Sequence, residues 1–559
     1  LLITAETEGA HVTGGRGLDM RSVPLEVAEK LAQEAGVCIR PLAFRVHDAK
    51  AGTSRVVEVA CGARLEAKCP PCAKRNRQAR MAQCREGWHL EAEPEPALLN
   101  EGQQWLVEFR ADLRARRDAM EAAGEDVSDW AAAIAGVEEE MRAAGIPASV
   151  IGRTSGPSDR RVRSTRRRQD APNLPRRVMA ATTVGRTYAA PDGKVYRPSL
   201  FVTLTLPSYG RVRDGVPVDP ETYDYSAAAR GALHFSKLVD RFVQNLRRVA
   251  GFEVQYFASV EYQKRLAPHL HLAIRGTIPR AEIRRVVAAT YHQVWWPSTD
   301  VPAYEGETLP EWVDGVGYVD SAGAVLPTWD EALDSLGADD AATPLHVVSF
   351  GKQMDIQGVL AGSPDADQRV RHLAKYLTKS LDASTGKGGA DNAARRRHAA
   401  RLVESLRFEP CSPRCANWLR YGVQPKDAKP DMVPGRCRGK AHSPTHLGYG
   451  GRRVLVSRKW SGRTLGEHRR ERRAWVMEAL GITADEATAT AGRYSWEQIS
   501  GAELGPLRVR LLRLVAERRR SHVAMQSAEA GGDVGCRGPG PSESDQASQS
   551  GDAALSGRR

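Results

Sequence analysis

Pro268-His-Leu-His-Leu-Ala-Ile274 is the stretch of this 559-residue chain that most limits what it can fold into. The run is apolar and β-prone, and it reads as a strand. Side chains on a strand alternate between faces. His269 and His271 therefore point one way, and Leu270, Leu272 and Ile274 point the other way, into a core. Two imidazoles side by side on one face are ready to bind a divalent metal. Taken alone, the motif also fits a pair of solvent-facing histidines.

Two further segments narrow the choice. Phe201-Val-Thr-Leu-Thr-Leu206 is a second alternating strand, with Thr203 and Thr205 on one face. Arg371-His-Leu-Ala-Lys-Tyr-Leu-Thr-Lys-Ser380 has helical composition. Residues three and four apart on a helix are neighbours, so Tyr376 and Lys379 share a face, with Lys375 beside the tyrosine. The order of strand with Thr, strand with His-x-His and helix with Tyr-x-x-Lys resembles the HUH endonucleases. These enzymes initiate rolling-circle replication by nicking one DNA strand. The details look most like the replication initiators of actinobacterial plasmids and integrative elements. The resemblance runs from about Cys38 to about Trp475 and includes the cysteine clusters and the stretch Gly450–Gly462.

The resemblance implies a site. Tyr376 would attack phosphorus and keep the 5′ phosphate as a tyrosyl ester. Lys379, three residues after it, inherits the role of stabilising the phenolate or contacting the phosphate; Lys375 does not. Mg²⁺ or Mn²⁺ between His269 and His271 would polarise the phosphoryl oxygen. Glu261 lies eight residues before His269 and can reach across a hairpin as the third ligand, with Gln263 as the fallback. Some initiators carry a glutamate one turn before the tyrosine. Here that position is His372, able to act as a base near neutral pH. With one tyrosine in this helix, a two-tyrosine mechanism is not expected. Read without the set, Tyr376 is a half-buried core tyrosine and the lysines are surface residues.

The nine cysteines cluster, which favours metal over disulfides. The first candidate zinc site is Cys61, Cys69, Cys72 and Cys84, with His89 as a substitute. The second is Cys411, Cys415, Cys437 and His442, with His446 nearby. Each can fill four positions with protein ligands, so about two structural zinc ions are expected, neither of them catalytic. The alternative is reduced, buried thiols. Cys38 and Cys536 look unpaired.

Lys and Arg number 81 against 68 acids, a net charge of +13. The excess is concentrated in Arg160–Arg168, Arg176, Arg177 and the stretch Arg452–Arg473, the footprint of a polyanion binder. A solvated linker is the alternative for the first of these. No run of about 18 apolar residues suggests a membrane span, and Leu1-Leu-Ile-Thr-Ala-Glu lacks the basic start of a signal peptide. A cytoplasmic protein is expected.

The fold class expected is α+β: a central antiparallel-sheet endonuclease domain flanked by zinc-binding modules and helical segments. The order read from the sequence is an N-terminal segment (1–50), a cysteine-rich module (51–97), a helical segment (98–150) and a basic linker (151–177). The endonuclease domain (178–385), a second zinc-binding and basic module (400–465), a C-terminal helical segment (466–525) and a disordered tail (526–559) follow. Within the nuclease region, helices are expected at Ser226–Val249, Arg280–Trp296 and Gln368–Leu381, over a sheet covered on one face. Residues 298–344 read as a surface insertion.

The expected function is a replication initiator: a site-specific single-strand DNA endonuclease and ligase that nicks the double-strand origin through a 5′-phosphotyrosyl intermediate. Its partners would be double-stranded origin DNA, single-stranded DNA, a polymerase and a host helicase, since no Walker motif is present. A relaxase or transposase with the same chemistry is one rival. A non-catalytic, zinc-containing DNA-binding regulator is the other.

Overall fold

The computed structural model describes residues 20–93, 99–146, 148–151, 171, 173–180, 182–185, 187–193, 195–375, 390–461, 494–500 and 503–531. It is mixed α/β with several antiparallel sheets, and it divides into two compact units: residues 75–481, and residues 1–74 with 482–559.

The larger unit is built on one five-stranded antiparallel sheet. Its strands are β1 (Pro198–Thr205), β2 (Tyr256–Tyr262), β3 (Pro268–Arg275), β4 (Met354–Leu360) and β5 (Val454–Val456), in the order β4-β1-β3-β2-β5. The helices around it are α1 (Tyr225–Ala250), α2 (Arg280–Ala289), α3 (Pro364–Lys375) and α4 (Ala390–Arg407). Strand β3 lies at the centre, and all of its residues are buried.

The period-two pattern sorts the side chains. Leu200, Val202 and Leu204 join Leu270, Leu272, Ile274 and Val260 on one face. Helix α1 covers that face with Phe235, Leu238, Phe242, Leu246 and Val249, a stripe at helical spacing. It starts at Asp224, whose carboxylate accepts the Ala227 N–H at 2.8 Å, and stops at Gly251 in the left-handed region, φ 73°.

The expectation of a sheet covered on one face does not hold. The opposite face also carries apolar residues, Phe201, Phe257, Ala273 and Val359. These pack against Ala366, Val370 and Leu373 of α3, together with Trp88 and Trp460. At the far end of β3, the Arg275 guanidinium is 3 % exposed. It donates to the carbonyls of Thr183, Gly87, Trp460 and Lys459, tying three separate segments to the strand.

Other boundaries move for the same reason, that non-local pairing overrides local pattern. Helix α2 ends at Ala289, and Tyr291–Val294 is a strand paired with His346–Ser349. Val454–Val456, read as part of a separate basic module, is the edge strand of the central sheet, with Val454 opposite Ser259. The expected insertion is a folded partner of the second cysteine segment. Trp329 and Trp296 pack against Trp418, with ring centroids 5.0 and 5.7 Å apart. The Tyr318 hydroxyl donates to the Lys429 carbonyl at 2.7 Å. In the stretch 98–150, helices Glu101–Ala122 and Ser128–Ala143 form a pair around Leu113, Ile134 and Met141.

In the smaller unit, strands Thr53–Val59, Leu42–Asp48 and Tyr494–Gln498 form an antiparallel sheet. Helices Leu25–Glu34 and Leu507–Gly531 meet through Ala28, Ala32, Leu511 and Val515. The segment 466–525 is therefore not wholly helical: Tyr494–Gln498 is a strand because it finds a partner at Leu42–Asp48. Among the described residues, no helix is long and apolar enough to cross a membrane.

One consequence is a pH dependence of stability. His234 on α1 is 5 % exposed and lies among Trp296, His292 and His346. Burial, and then the neighbouring histidines, push its pKa down to about 3. Burial leads the shifts of His292 and His346 to about 4. Unfolded histidines near 6.5 take up protons that these folded ones refuse. Stability is thus intact above about pH 6.5 and is lost as pH falls towards 4. Urea unfolding is expected to show a loss of a few kcal/mol between pH 7 and pH 4, shallower in His234→Phe. An identical pH slope in the variant would count against this.

Candidate metal centres

Strands β2 and β3 form a hairpin. Its turn closes through the Gln263 N–H and the Ala267 carbonyl at 2.9 Å, with Leu266 in the left-handed region at φ 63°. The register places Glu261 opposite His269 and Ser259 opposite His271. On the other side, Thr203 of β1 lies opposite His271 and Thr205 opposite His269.

The side chains converge. His269 Nε2 and His271 Nε2 are 2.9 Å apart. A Glu261 carboxylate oxygen lies 3.1 Å from His271 Nε2 and 3.8 Å from His269 Nε2. The Thr203 hydroxyl meets His271 Nδ1 at 3.0 Å, which leaves Nε2 facing the carboxylate. Both histidines are 8 % exposed. Burial, then His271, lowers the His269 pKa to about 3, so its imidazole is neutral at pH 7. Burial and His271 also lower the His372 pKa. Two imidazole nitrogens facing one carboxylate, with a hydroxyl orienting one ring, suit a borderline or hard divalent cation.

The two cysteine sets are equally compact. In the smaller unit, Cys38, Cys61, Cys69 and Cys72 hold their sulfurs within 4.8 Å of one another. Cys61 and Cys72 are 3.7 Å apart, and Cys69 and Cys38 3.8 Å. Four thiolates around one zinc, each at about 2.3 Å, would stand roughly 3.8 Å apart, so the spacing fits the metal. None of the four is in a disulfide. Burial raises the Cys72 pKa most, but hydrogen bonds from Cys69, Cys38, the Gly62 backbone and Cys61 together lower it. In the larger unit, Cys411, Cys415, Cys437 and His442 converge within 4.8 Å. Cys415 Sγ is 3.5 Å from His442 Nε2, and the Gly439 N–H points at Cys437 Sγ at 3.3 Å. Cys411 and Cys415 push the Cys437 thiol towards thiolate.

The family described as replication initiator protein, pSAM2, matches residues 24–517. The chain belongs to this replication initiator family. A replication initiator protein of Streptomyces ambofaciens is 27 % identical over 266 residues, which are 40 % of this chain and 52 % of that protein. The chain thus spans about half the length of that curated relative. No solved structure matches.

In this replication initiator family member, the structure does not bring every expected residue together. Cys84 is replaced by Cys38. Cys72 opens and Cys84 nearly closes the single helix Pro70–Trp88, so twelve residues of helix, about 18 Å, separate them. Cys84 instead lies in the apolar cluster of Trp88 and Trp460. Cys38 reaches Cys61 because strands Leu42–Asp48 and Thr53–Val59 fold back on each other, pairing Leu42 with Val59. The Cys61 N–H donates to Cys38 Sγ at 3.3 Å. With five cysteines between residues 38 and 84, no sequence signal singles out Cys38 over Cys84.

The fallback ligands lie elsewhere. The Gln263 side chain accepts from Arg265 Nε at 2.7 Å. His89 faces Asp367 at 3.8 Å, and His446 meets Thr445 at 3.0 Å. His372 on α3 lies within 4.8 Å of Glu261 and His271. Tyr376, Lys379, Arg160–Arg168, Cys536 and residues 462–473 lie outside the described residues. Of the remaining basic residues, Arg177 pairs with Glu282.

Proposed function

We propose that this chain initiates replication by nicking one strand of its origin as an HUH endonuclease. Two things support the reading together. One is membership of a replication initiator family; the other is a hairpin register that faces Glu261 with His269 beside His271. The second carries the chemistry, because a regulator needs no buried donor set of this kind.

In this reading the Tyr376 oxygen attacks the scissile phosphorus. The P–O3′ bond breaks, leaving a free 3′-hydroxyl that a polymerase extends and a 5′-phosphotyrosyl ester that stores the bond for rejoining. A divalent ion, Mg²⁺ or Mn²⁺, held by His269, His271 and Glu261, would polarise the phosphoryl oxygens as a Lewis acid. Thr203 orients His271 through Nδ1, and Lys379 stabilises the phenolate or contacts the phosphate. The two cysteine sets hold structural zinc. The basic segments at 160–177 and 452–473 contact DNA phosphates and position the nuclease, while a host helicase unwinds the duplex.

The test uses supercoiled plasmid carrying the origin, Mn²⁺, and protease treatment after the reaction. The expected product is a nicked circle with an extendable 3′ end and a blocked 5′ end. Tyr376→Phe is expected to lose both nick and adduct while binding origin DNA within a few-fold of the parent. Full nicking by the variant would overturn the assignment.

A further inference from the structure

The candidate nicking centre has one member that does not belong to the strand hairpin. His372 lies on α3, which packs Ala366, Val370 and Leu373 onto the histidine-bearing face of the sheet. This packing brings a His372 ring nitrogen within 4.8 Å of ligand atoms of both His271 and Glu261. Its ring meets that of His271 edge-on, with centroids 4.8 Å apart and planes at 87°. It meets Phe201 in the same way, at 5.9 Å and 82°. Donors around one six-coordinate ion at about 2.1 Å stand roughly 3 Å apart when adjacent and just over 4 Å apart when opposite. A small movement of the side chains therefore lets one ion reach all of these groups.

Resting on the reading of this site as a divalent-metal centre, we propose that His372 is a further ligand of that ion. The described part of helix α3 runs to Lys375, and Tyr376 is the next residue in the chain. Ligation through His372 fastens the helix that leads to the nucleophile to the same ion that His269, His271 and Glu261 hold. The ion then joins the two parts of the chain that nicking must bring together, the hairpin and the tyrosine-bearing segment. Without it, α3 is held to this face by the apolar packing of Ala366, Val370 and Leu373 and by Arg369 over the Phe201 ring. The proposal also changes a role. An imidazole nitrogen bound to a metal has no lone pair left for a proton, so through that nitrogen His372 is not the base for the terminating cleavage.

The experiment uses zinc-loaded, full-length protein without DNA, titrated with Mn²⁺ and followed by the loss of the free Mn²⁺ electron paramagnetic resonance signal. Mn²⁺ prefers oxygen and imidazole donors, so it leaves the thiolate sites alone. His372→Phe keeps the ring packing on Phe201 and removes the donor; His372→Leu serves if the Phe variant does not fold. Mn²⁺ affinity is expected to fall about tenfold or more, with partial recovery in His372→Glu, which returns a donor. Hydrogen exchange in peptides spanning α3 is expected to slow on Mn²⁺ addition in the parent and not in His372→Phe. Parental Mn²⁺ affinity and parental protection of α3 in His372→Phe would overturn the proposal while leaving the hairpin site intact, as loss of binding in His269→Ala would show. If the parent itself binds no Mn²⁺, both the proposal and the metal-centre reading fall.

Discussion

His269→Ala is expected to slow metal-dependent nicking on the order of 10³-fold, the scale seen when one preorganised electrostatic contact to a transition state is lost. His269 supplies the centre with one nitrogen, 2.9 Å from His271 Nε2. Its other ring nitrogen is buried without a hydrogen-bond partner. Without the ring, β3 is expected to keep its central place between β1 and β2. Folding should survive, because the packing of the sheet rests on Leu270, Leu272 and Ile274 on the opposite face. Thr203→Val is the milder companion. It deletes the hydroxyl that meets His271 Nδ1 at 3.0 Å and should weaken Mn²⁺ binding about tenfold. Nicking rates that are equal with Mg²⁺, Mn²⁺ and chelator would remove the metal from the mechanism altogether.

Cys415→Ser is expected to cost the second cysteine centre its zinc, and with it about 10 kcal/mol of local folding free energy. Cys415 is fully buried beside Trp418 and Trp329. Residues 298–344 pack onto the same cluster through Trp329, and Tyr318 ties them to the cysteine segment through the Lys429 carbonyl. Loss of the ion should therefore expose more than the cysteine segment: limited proteolysis is expected to cut within both 298–344 and 411–442. Elemental analysis should find about two zinc ions per chain in the parent and one in the variant. The same measurement separates the two ligand sets for the first centre. Cys38→Ser should lose one zinc and Cys84→Ser none, because Cys84 sits among Trp88 and Trp460. Chelator-washed parent protein without zinc, or disulfides in the native protein, would defeat the expectation.

Strand patterns of period two in Phe201–Leu206 and His269–Ile274 were legible because alternation is local and each face has one kind of neighbour. The same alternation placed His269 and His271 together. A short loop after Tyr262 made a hairpin the natural connection and so carried Glu261 to His269, as its register bears out. The close spacing of Cys411 with Cys415 and of Cys69 with Cys72 was legible in the same local way.

Only the tertiary structure decided the rest, and always where a contact joins segments far apart in the chain. Cys38 replaces Cys84 because a hairpin closes 23 residues while a helix holds Cys72 and Cys84 apart. Tyr494–Gln498 and Val454–Val456 are strands because distant edges accept them, not because their own residues demand it. His372 reaches Glu261 and His271 because the second face of the sheet is apolar enough to hold α3 against it. Local periodicity says which way a side chain points along its own element. It carries no information on which other element will be there to meet it, since that depends on how all the apolar faces of the chain are buried at once.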